Sequence, residues 1–321
     1  MLKTIGVLTS GGDAPGMNAC VRAIVRTAME RGVKVKGINR GYNGLINDEI
    51  FDISLRTVSG IIHRGGTVLY TARSPRFKTE DGMQIAIENC KKHGIEGIAV
   101  VGGDGSYRGA RDLSLRGIPC VCAPGTIDND IACTDYSIGF DTAMNTAMEM
   151  VDRLRDTSQS HERCSVVEVM GRHAGFLALH TGIAVGATAI LVPEIQFDIE
   201  RDVVSHIREA LQSGKKHFII IVAEGVGNVE KITREIEALT GVESRATVLG
   251  HVQRGGSPSV RDRVLASEFG YRVANLLCDG VGNRVIAYKG DRMFDMDIFE
   301  ALSMVKEFEN DGFRMAHTLS K

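Results

Sequence analysis

The chain carries no surplus charge of either sign: 38 Lys and Arg stand against 40 Asp and Glu in 321 residues. That balance removes any general electrostatic reason to expect DNA, RNA or an anionic membrane as partner. No apolar stretch approaches the ~18 residues that a membrane span needs. The start, MLKTIGVLTSGGD, is interrupted too early to read as a secretory signal. The seven cysteines include no CxxC pair and no zinc-like spacing; Cys120 and Cys122 lie in the apolar run PCVCA, which reads as a strand. The expected setting is a reducing one, the cytoplasm. Neither a Walker lysine loop nor GxGxxG occurs. Proline is scarce, at 6, and no linker composition marks a domain boundary.

What is abundant is glycine: 37 residues, placed in short clusters between apolar runs rather than in one tract. Such clusters suit loops of unusual backbone geometry. At this length two domains are expected, with one remaining open. Candidate strands are 3–9, 34–38, 97–102, 119–123, 164–170, 188–193, 218–223 and 284–288. Several are continuously apolar, as in parallel strands buried on both faces. Amphipathic helices alternate with them. In 16–31, Met17, Val21, Ile24, Val25 and Ala28 form one stripe closed by Gly32. In 140–156, Met144, Met148, Val151 and Leu154 fall at helical spacing and are expected in the core. Repeated strand–helix units predict an α/β fold: mainly parallel sheets with helices on both faces.

Ligands of such sheets sit outside the carboxyl ends of the strands, and four loops there carry chemistry. TSGGDAPGMNA (9–19) joins a strand to a helix; Gly11, Gly12 and Gly16 would let backbone N–H groups approach a phosphate, although a tight turn alone could explain them. VGGDGSYRGA (101–110) sets Asp104 among glycines. Beside a phosphate that carboxylate needs a divalent cation between them, while an N-cap role is the alternative. PGTIDND (124–130) offers Asp128 as a base toward a hydroxyl and Thr126 as its positioning group; Asp128 and Asp130 could also merely cap turns. VMGRHAG (169–175) places Arg172 where it could neutralise charge on a transferring phosphoryl group, or simply face solvent.

Together with RGGTVLYTAR (64–73), SVVEVMGR (165–172), KKHFIIIVAEG (215–225) and ATVLGHVQRGGSPS (246–259), these loops resemble the bacterial-type ATP-dependent 6-phosphofructokinase family over essentially the whole chain. The resemblance implies two doubly wound domains, 1–138 plus 252–305 for ATP and 139–251 plus 306–321 for fructose 6-phosphate, with the active site in the cleft between them. It implies that Gly12, Tyr42, Arg73, Ser74, Gly103, Gly105 and Ser106 surround ATP and that Asp104 meets Mg²⁺. Asp128 would be the base toward the sugar 1-hydroxyl, supported by Thr126 and Asp130, with Arg172 on the moving phosphoryl. Met170, Gly171, Glu224 and His251 would contact the sugar and Arg254 its 6-phosphate. Arg163 and Arg245 would reach that phosphate from a neighbouring subunit of a homotetramer. Glu224 could instead pair with a lysine, and His251 could be a buried histidine. Cys20 and Cys164 are read as packing.

Pyrophosphate-dependent relatives share most of these motifs but typically carry Asp and Lys at the two positions that are Gly105 and Gly125 here. ATP is therefore the expected donor. Arg22 and Arg26 share one helix face. The resemblance groups them with Arg155, Gly186, Lys215, Lys216 and His217 in an effector site between subunits, where ADP activates and phosphoenolpyruvate inhibits. Thr188 stands where many members have a metal-facing Glu, and Leu55 where some have Arg, so an altered anion site is expected. Two rivals stay open: a kinase with another acceptor, and a non-catalytic sensor of nucleotide or sugar phosphate.

Overall fold

Apolar runs become strands and amphipathic segments become helices, in alternation. In this computed structural model, which describes residues 2–320, the strands are β1 (Thr4–Ser10), β2 (Lys34–Ile38), β3 (Ile50–Asp52), β4 (Gly97–Gly102), β5 (Cys120–Pro124), β6 (Cys164–Val169), β7 (Ala189–Leu191), β8 (Phe218–Ala223), β9 (Ser244–Val248), β10 (Arg284–Lys289) and β11 (Arg292–Asp297). The helices are α1 (Met17–Glu30), α2 (Gly41–Ile46), α3 (Glu80–Lys92), α4 (Asp104–Ser114), α5 (Phe140–Ser160), α6 (Phe176–Ala184), α7 (Ser205–Gln212), α8 (Val229–Thr240), α9 (Val260–Cys278), α10 (Ile298–Ser303) and α11 (Asn310–Leu319). Every residue of β4, β5 and β8 is buried, so the continuously apolar runs are the strands covered on both faces.

The chain divides into two compact units. One runs to Thr142 and resumes over Arg254–Lys306; the other takes Ala143–Gln253 and the segment from Glu307 onward. The first crossing lies inside the opening turn of α5, which explains why no linker composition betrays it.

The first unit holds a seven-stranded sheet in the order β11-β10-β5-β4-β1-β2-β3. It is parallel except at its rims, where β3 pairs antiparallel with β2 and β11 with β10. On α1 the stripe Met17, Val21, Ile24, Val25 and Ala28 is fully buried, each large side chain contributing roughly 1.5–3 kcal/mol by leaving water. Helix α9 packs on α1 at close range. A Cβ on Gly270 would stand 2.4 Å from the Cys20 carbonyl oxygen, so only glycine permits that approach. All seven cysteines are buried and free, and none belongs to a metal-binding cluster among the described residues.

Asp262, in the first turn of α9, also caps α5. Its carboxylate is fully buried and accepts from the Gly139 N–H at 2.8 Å, the Thr142 N–H at 2.8 Å and the Thr142 hydroxyl at 2.5 Å. Burial pushes its pKa up to about 6 against the opposing pull of those donors.

The second unit holds a four-stranded, all-parallel sheet in the order β7-β8-β6-β9. Its core joins Val166, Leu191, Ile207, Phe218, Ile220 and Ile236. The C-terminal segment packs here, with Ala316 buried and Phe308 against Phe176 at 5.7 Å between ring centroids.

Two expectations need correction. The buried face of α5 is Ala143, Ala147 and Val151, while Met144, Met148 and Leu154 are only half-buried on its flank. Strands β3, β9 and β11 went unread because they are rim strands. They are short or charged, and one face or edge meets solvent, so the apolar signal is weak.

Candidate active site

Three of the four chemistry-bearing loops leave neighbouring strands of the first unit. β5, β4 and β1 are adjacent and parallel, so PGTIDND, GGDG and TSGGD emerge side by side at one edge of one sheet. They touch. The Gly125 N–H donates to the Gly102 carbonyl at 3.0 Å. A Cβ built on Gly103 would lie 3.8 Å from Thr126 Cβ, and one on Gly11 would lie 3.6 Å from Ser106 Oγ. The Thr71 hydroxyl, from the RGGTVLYTAR segment, donates to the Gly11 carbonyl at 2.7 Å. Asp104 and Asp128 therefore share an edge.

Within this group the two carboxylates differ. Asp128 is buried, and its N–H donates to Thr126 Oγ1 at 3.2 Å. The loop is stapled by Asn129, in the left-handed region at φ 51°. Its amide donates to the Asp135 carbonyl, while Ser137 Oγ donates to both the Thr126 carbonyl and Asn129 Oδ1. Asp130, beyond the staple, is exposed. Asp104 is not an N-cap: Gly103 holds that position, and Asp104 opens α4 with its side chain 47 % exposed. Arg108, one turn later, takes Oδ2 alone. Such a carboxylate suits Mg²⁺, which accepts one or two protein oxygens and leaves the rest to phosphate and water.

The other residues expected around a nucleotide lie on this same unit. Ser106 is buried; Arg73 is exposed; Ser74 Oγ is buried without a partner. Tyr42 is in the core: its hydroxyl donates to the Ser106 carbonyl at 2.6 Å and its ring stacks on Phe77 at 4.2 Å. It braces the loop from behind. Arg254 also belongs here, with its guanidinium over Gly12, where a Cβ would come within 2.5 Å, and donating to the Asp13 carbonyl at 3.1 Å.

The second unit repeats the arrangement. β8, β6 and β9 are neighbours, and their carboxyl ends carry Glu224, Met170–Arg172 and His251. Arg172 has φ 53°, and its N–H donates to Glu224 Oε1. Glu224 is thus engaged by a backbone amide rather than by a lysine. His251 is exposed, not buried. Glu168, unread in the sequence, lies near Glu224; burial first and that like charge second push its pKa up. Gln253, also unread, is fully buried and accepts from the Met170 N–H at 2.8 Å.

Arg163 and Arg245 sit elsewhere. They flank the amino ends of β6 and β9 and share Glu243, at 2.7 and 2.6 Å. Strand β6 intervenes between Arg163 and Met170, a separation of about 20 Å at ~3.3 Å per residue.

The residues expected in an effector site fall in both units. Arg22 and Arg26 line a groove of about 890 Å³ on the first, with Tyr271, Arg272 and Tyr288. On the second, the Arg155 guanidinium donates to the Val185 carbonyl beside Gly186. Burial, then the Arg155 charge, lowers the Lys215 pKa; His217 is lowered by burial, Lys215 and Arg155. Lys216 instead pairs with Glu162 at 2.7 Å. Thr188 is buried and its hydroxyl has no partner, and Leu55 is exposed.

The family model described as "Phosphofructokinase" matches residues 4–277. The chain is 52% identical over 320 residues to the ATP-dependent 6-phosphofructokinase of Clostridium botulinum strain Hall, covering 100% of both. It is 53% identical over 319 residues to that of Clostridium tetani, covering 99% of this chain and 100% of the relative. Among solved structures, phosphofructokinase from Saccharomyces cerevisiae superposes with a TM-score of 0.89 at 33% identity over 99% of this chain, which spans about half (48%) of the yeast chain. A pyrophosphate-dependent phosphofructokinase from Marinobacter aquaeolei gives a TM-score of 0.87 at 22% identity, covering 99% of this chain and 91% of that one, a likeness of fold alone.

Proposed function

This chain belongs to the phosphofructokinase family, and we propose that it transfers the γ-phosphoryl of Mg-ATP to the 1-hydroxyl of D-fructose 6-phosphate, giving fructose 1,6-bisphosphate and ADP. The observation that carries the reading is the shared edge: the Gly103 backbone stands against Thr126, so a metal-side carboxylate and a buried carboxylate leave adjacent strands together.

Roles follow from chemistry. Gly12, Gly103, Gly105 and Ser106 offer backbone and hydroxyl donors to phosphates, with Arg73 and Ser74 beside them and Tyr42 as their support. Asp104 would hold Mg²⁺, which when bound neutralises charge across the phosphates. Asp128 takes the hydroxyl proton as the oxygen attacks phosphorus, with Thr126 and Asp130 ordering its loop. Arg172 stabilises the charge on the phosphoryl in transit. Met170, Gly171, Glu224, His251 and Arg254 receive the sugar phosphate.

ATP rather than pyrophosphate is the donor in this reading, and two glycines support it. Nothing lies within 4 Å of a Cβ built on Gly105, leaving room for an α-phosphate. A Cβ on Gly125 would stand 3.1 Å from both Met17 Cε and Val101 Cγ1, so a lysine has no easy place there. The placement of Arg163 and Arg245 at the opposite strand edge supports a homotetramer in which they complete a neighbour's site. Arg22, Arg26, Arg155, Gly186, Lys215, Lys216 and His217 would form the altered effector site for ADP and phosphoenolpyruvate. No helix among the described residues is long and apolar enough to cross a membrane.

A coupled assay with fructose 6-phosphate, ATP in one cuvette and pyrophosphate in the other, tests the reading. Turnover with ATP alone is expected; turnover with pyrophosphate alone, or with neither, would overturn it.

A further inference from the structure

We propose that Gln253 is a positioning residue for phosphoryl transfer, holding the Arg172 loop in its working conformation; this rests on the role given to Arg172 above. The loop needs holding. Gly171 has φ 140° and Arg172 φ 53°, the latter a left-handed conformation that an L-residue does not keep unaided. Two side-chain acceptors clamp it from either side. Glu224 Oε1 accepts the Arg172 N–H, and Gln253 Oε1 accepts the Met170 N–H at 2.8 Å. From below, the Gly225 backbone packs so closely on the Arg172 carbonyl that a Cβ would come within 2.4 Å of it.

Gln253 supplies its acceptor at a cost that packing alone would not justify. It is fully buried, and its Nε2 has no partner. An apolar side chain of similar size would avoid burying that unmet donor. It would also leave the buried Met170 N–H without its acceptor at the point where β6 turns into the loop. A glutamate would accept equally well but would bring a charge into a buried position. Glutamine is the side chain that reaches, accepts and stays neutral. It lies in the short 3-10 turn Gly250–Arg254, which presents His251 outward. One turn thus faces solvent with a residue assigned to the sugar and grips, on its inner side, the loop carrying the phosphoryl arginine.

The test compares Gln253→Leu, Gln253→Glu, Arg172→Ala and the double variant Gln253→Leu/Arg172→Ala by steady-state kinetics. Hydrogen exchange of the peptide spanning Met170–Arg172 accompanies it. Gln253→Leu is expected to lower kcat by about 10- to 100-fold, the scale on which a small displacement of a reacting group acts, with the KM for fructose 6-phosphate little changed and faster exchange in that peptide. Gln253→Glu keeps the acceptor but buries a charge, so it is expected to lose less kcat than Gln253→Leu without matching the wild type. In the Arg172→Ala background Gln253→Leu adds no further loss, because both act through one arginine. If Arg172→Ala is strongly impaired but Gln253→Leu keeps wild-type kcat and exchange, the positioning role is wrong. It is equally wrong if the two losses multiply in the double variant. If Arg172→Ala itself retains wild-type kcat, the role of the arginine fails first and this proposal falls with it.

Discussion

Asp262 allows a prediction whose size comes from the coordinates. Its carboxylate is buried, ties the first turn of α9 to the first turn of α5, and titrates at about 6 instead of the ordinary 3.8 because burial disfavours the charge. The perturbation is Asp262→Asn, which removes the titration and keeps the shape. A folded value above the ordinary one means that this group's contribution to stability is fully present below 3.8 and is lost as pH rises through about 6. The gap corresponds to about 3 kcal/mol in total at ~1.4 kcal/mol per pKa unit. Between pH 8 and pH 5 the wild type should gain about 1.4 kcal/mol on the variant, since every other titrating group is common to both. The absolute difference at pH 8 is less informative. Asparagine offers one oxygen to three donors, at a cost of roughly 1–3 kcal/mol per unmet donor, and this is offset by removing a buried charge. Urea unfolding of both proteins at pH 8, 6 and 5 measures the trend. Parallel profiles across that window would falsify the argument that Asp262 is held as a desolvated carboxylate.

Four further outcomes are expected. Asp128→Ala should lower kcat by roughly 10²–10⁴-fold with little change in the KM for fructose 6-phosphate; near-normal turnover would remove it as the base. Gly105→Asp should fold normally, because nothing lies within 4 Å of the new Cβ. It should raise the KM for ATP by about 10-fold or more through charge repulsion, and an unchanged KM would show that no phosphate passes there. Arg163→Ala should mainly raise the KM for fructose 6-phosphate, and mixing it with Arg254→Ala subunits should recover some native sites; hybrids with none would argue against sharing between chains. An ADP titration of the fructose 6-phosphate saturation curve should displace it, and a curve unmoved at every concentration would dismiss the effector site.

The sequence alone determined the alternation of buried strands and helices, and the glycine-rich loops that form the candidate site. Continuous apolar runs such as FIIIVA have few folded alternatives, and glycine clusters next to carboxylates mark loops whatever the packing around them. Local context also offered Asp104, Asp128 and Arg172 as candidates, each with a plainer reading beside it, and their roles came from the family resemblance. Only the tertiary structure decided which loops meet, because adjacency in a sheet depends on strand order, and strand order is not a local property. The order β5-β4-β1 brings Asp104 and Asp128 to one edge, and β8-β6-β9 sets Glu224 beside Arg172 while leaving Arg163 and Arg245 at the far edge. The rim strands stayed unread for a different reason: β3 is only three residues long, and β9 and β11 are partly exposed and carry charged residues, so their apolar signal is weak even where, as for β11, the pairing partner is the adjacent strand in the chain. Gln253 and Asp262 look like ordinary polar positions until folding buries them and gives each a backbone amide to accept.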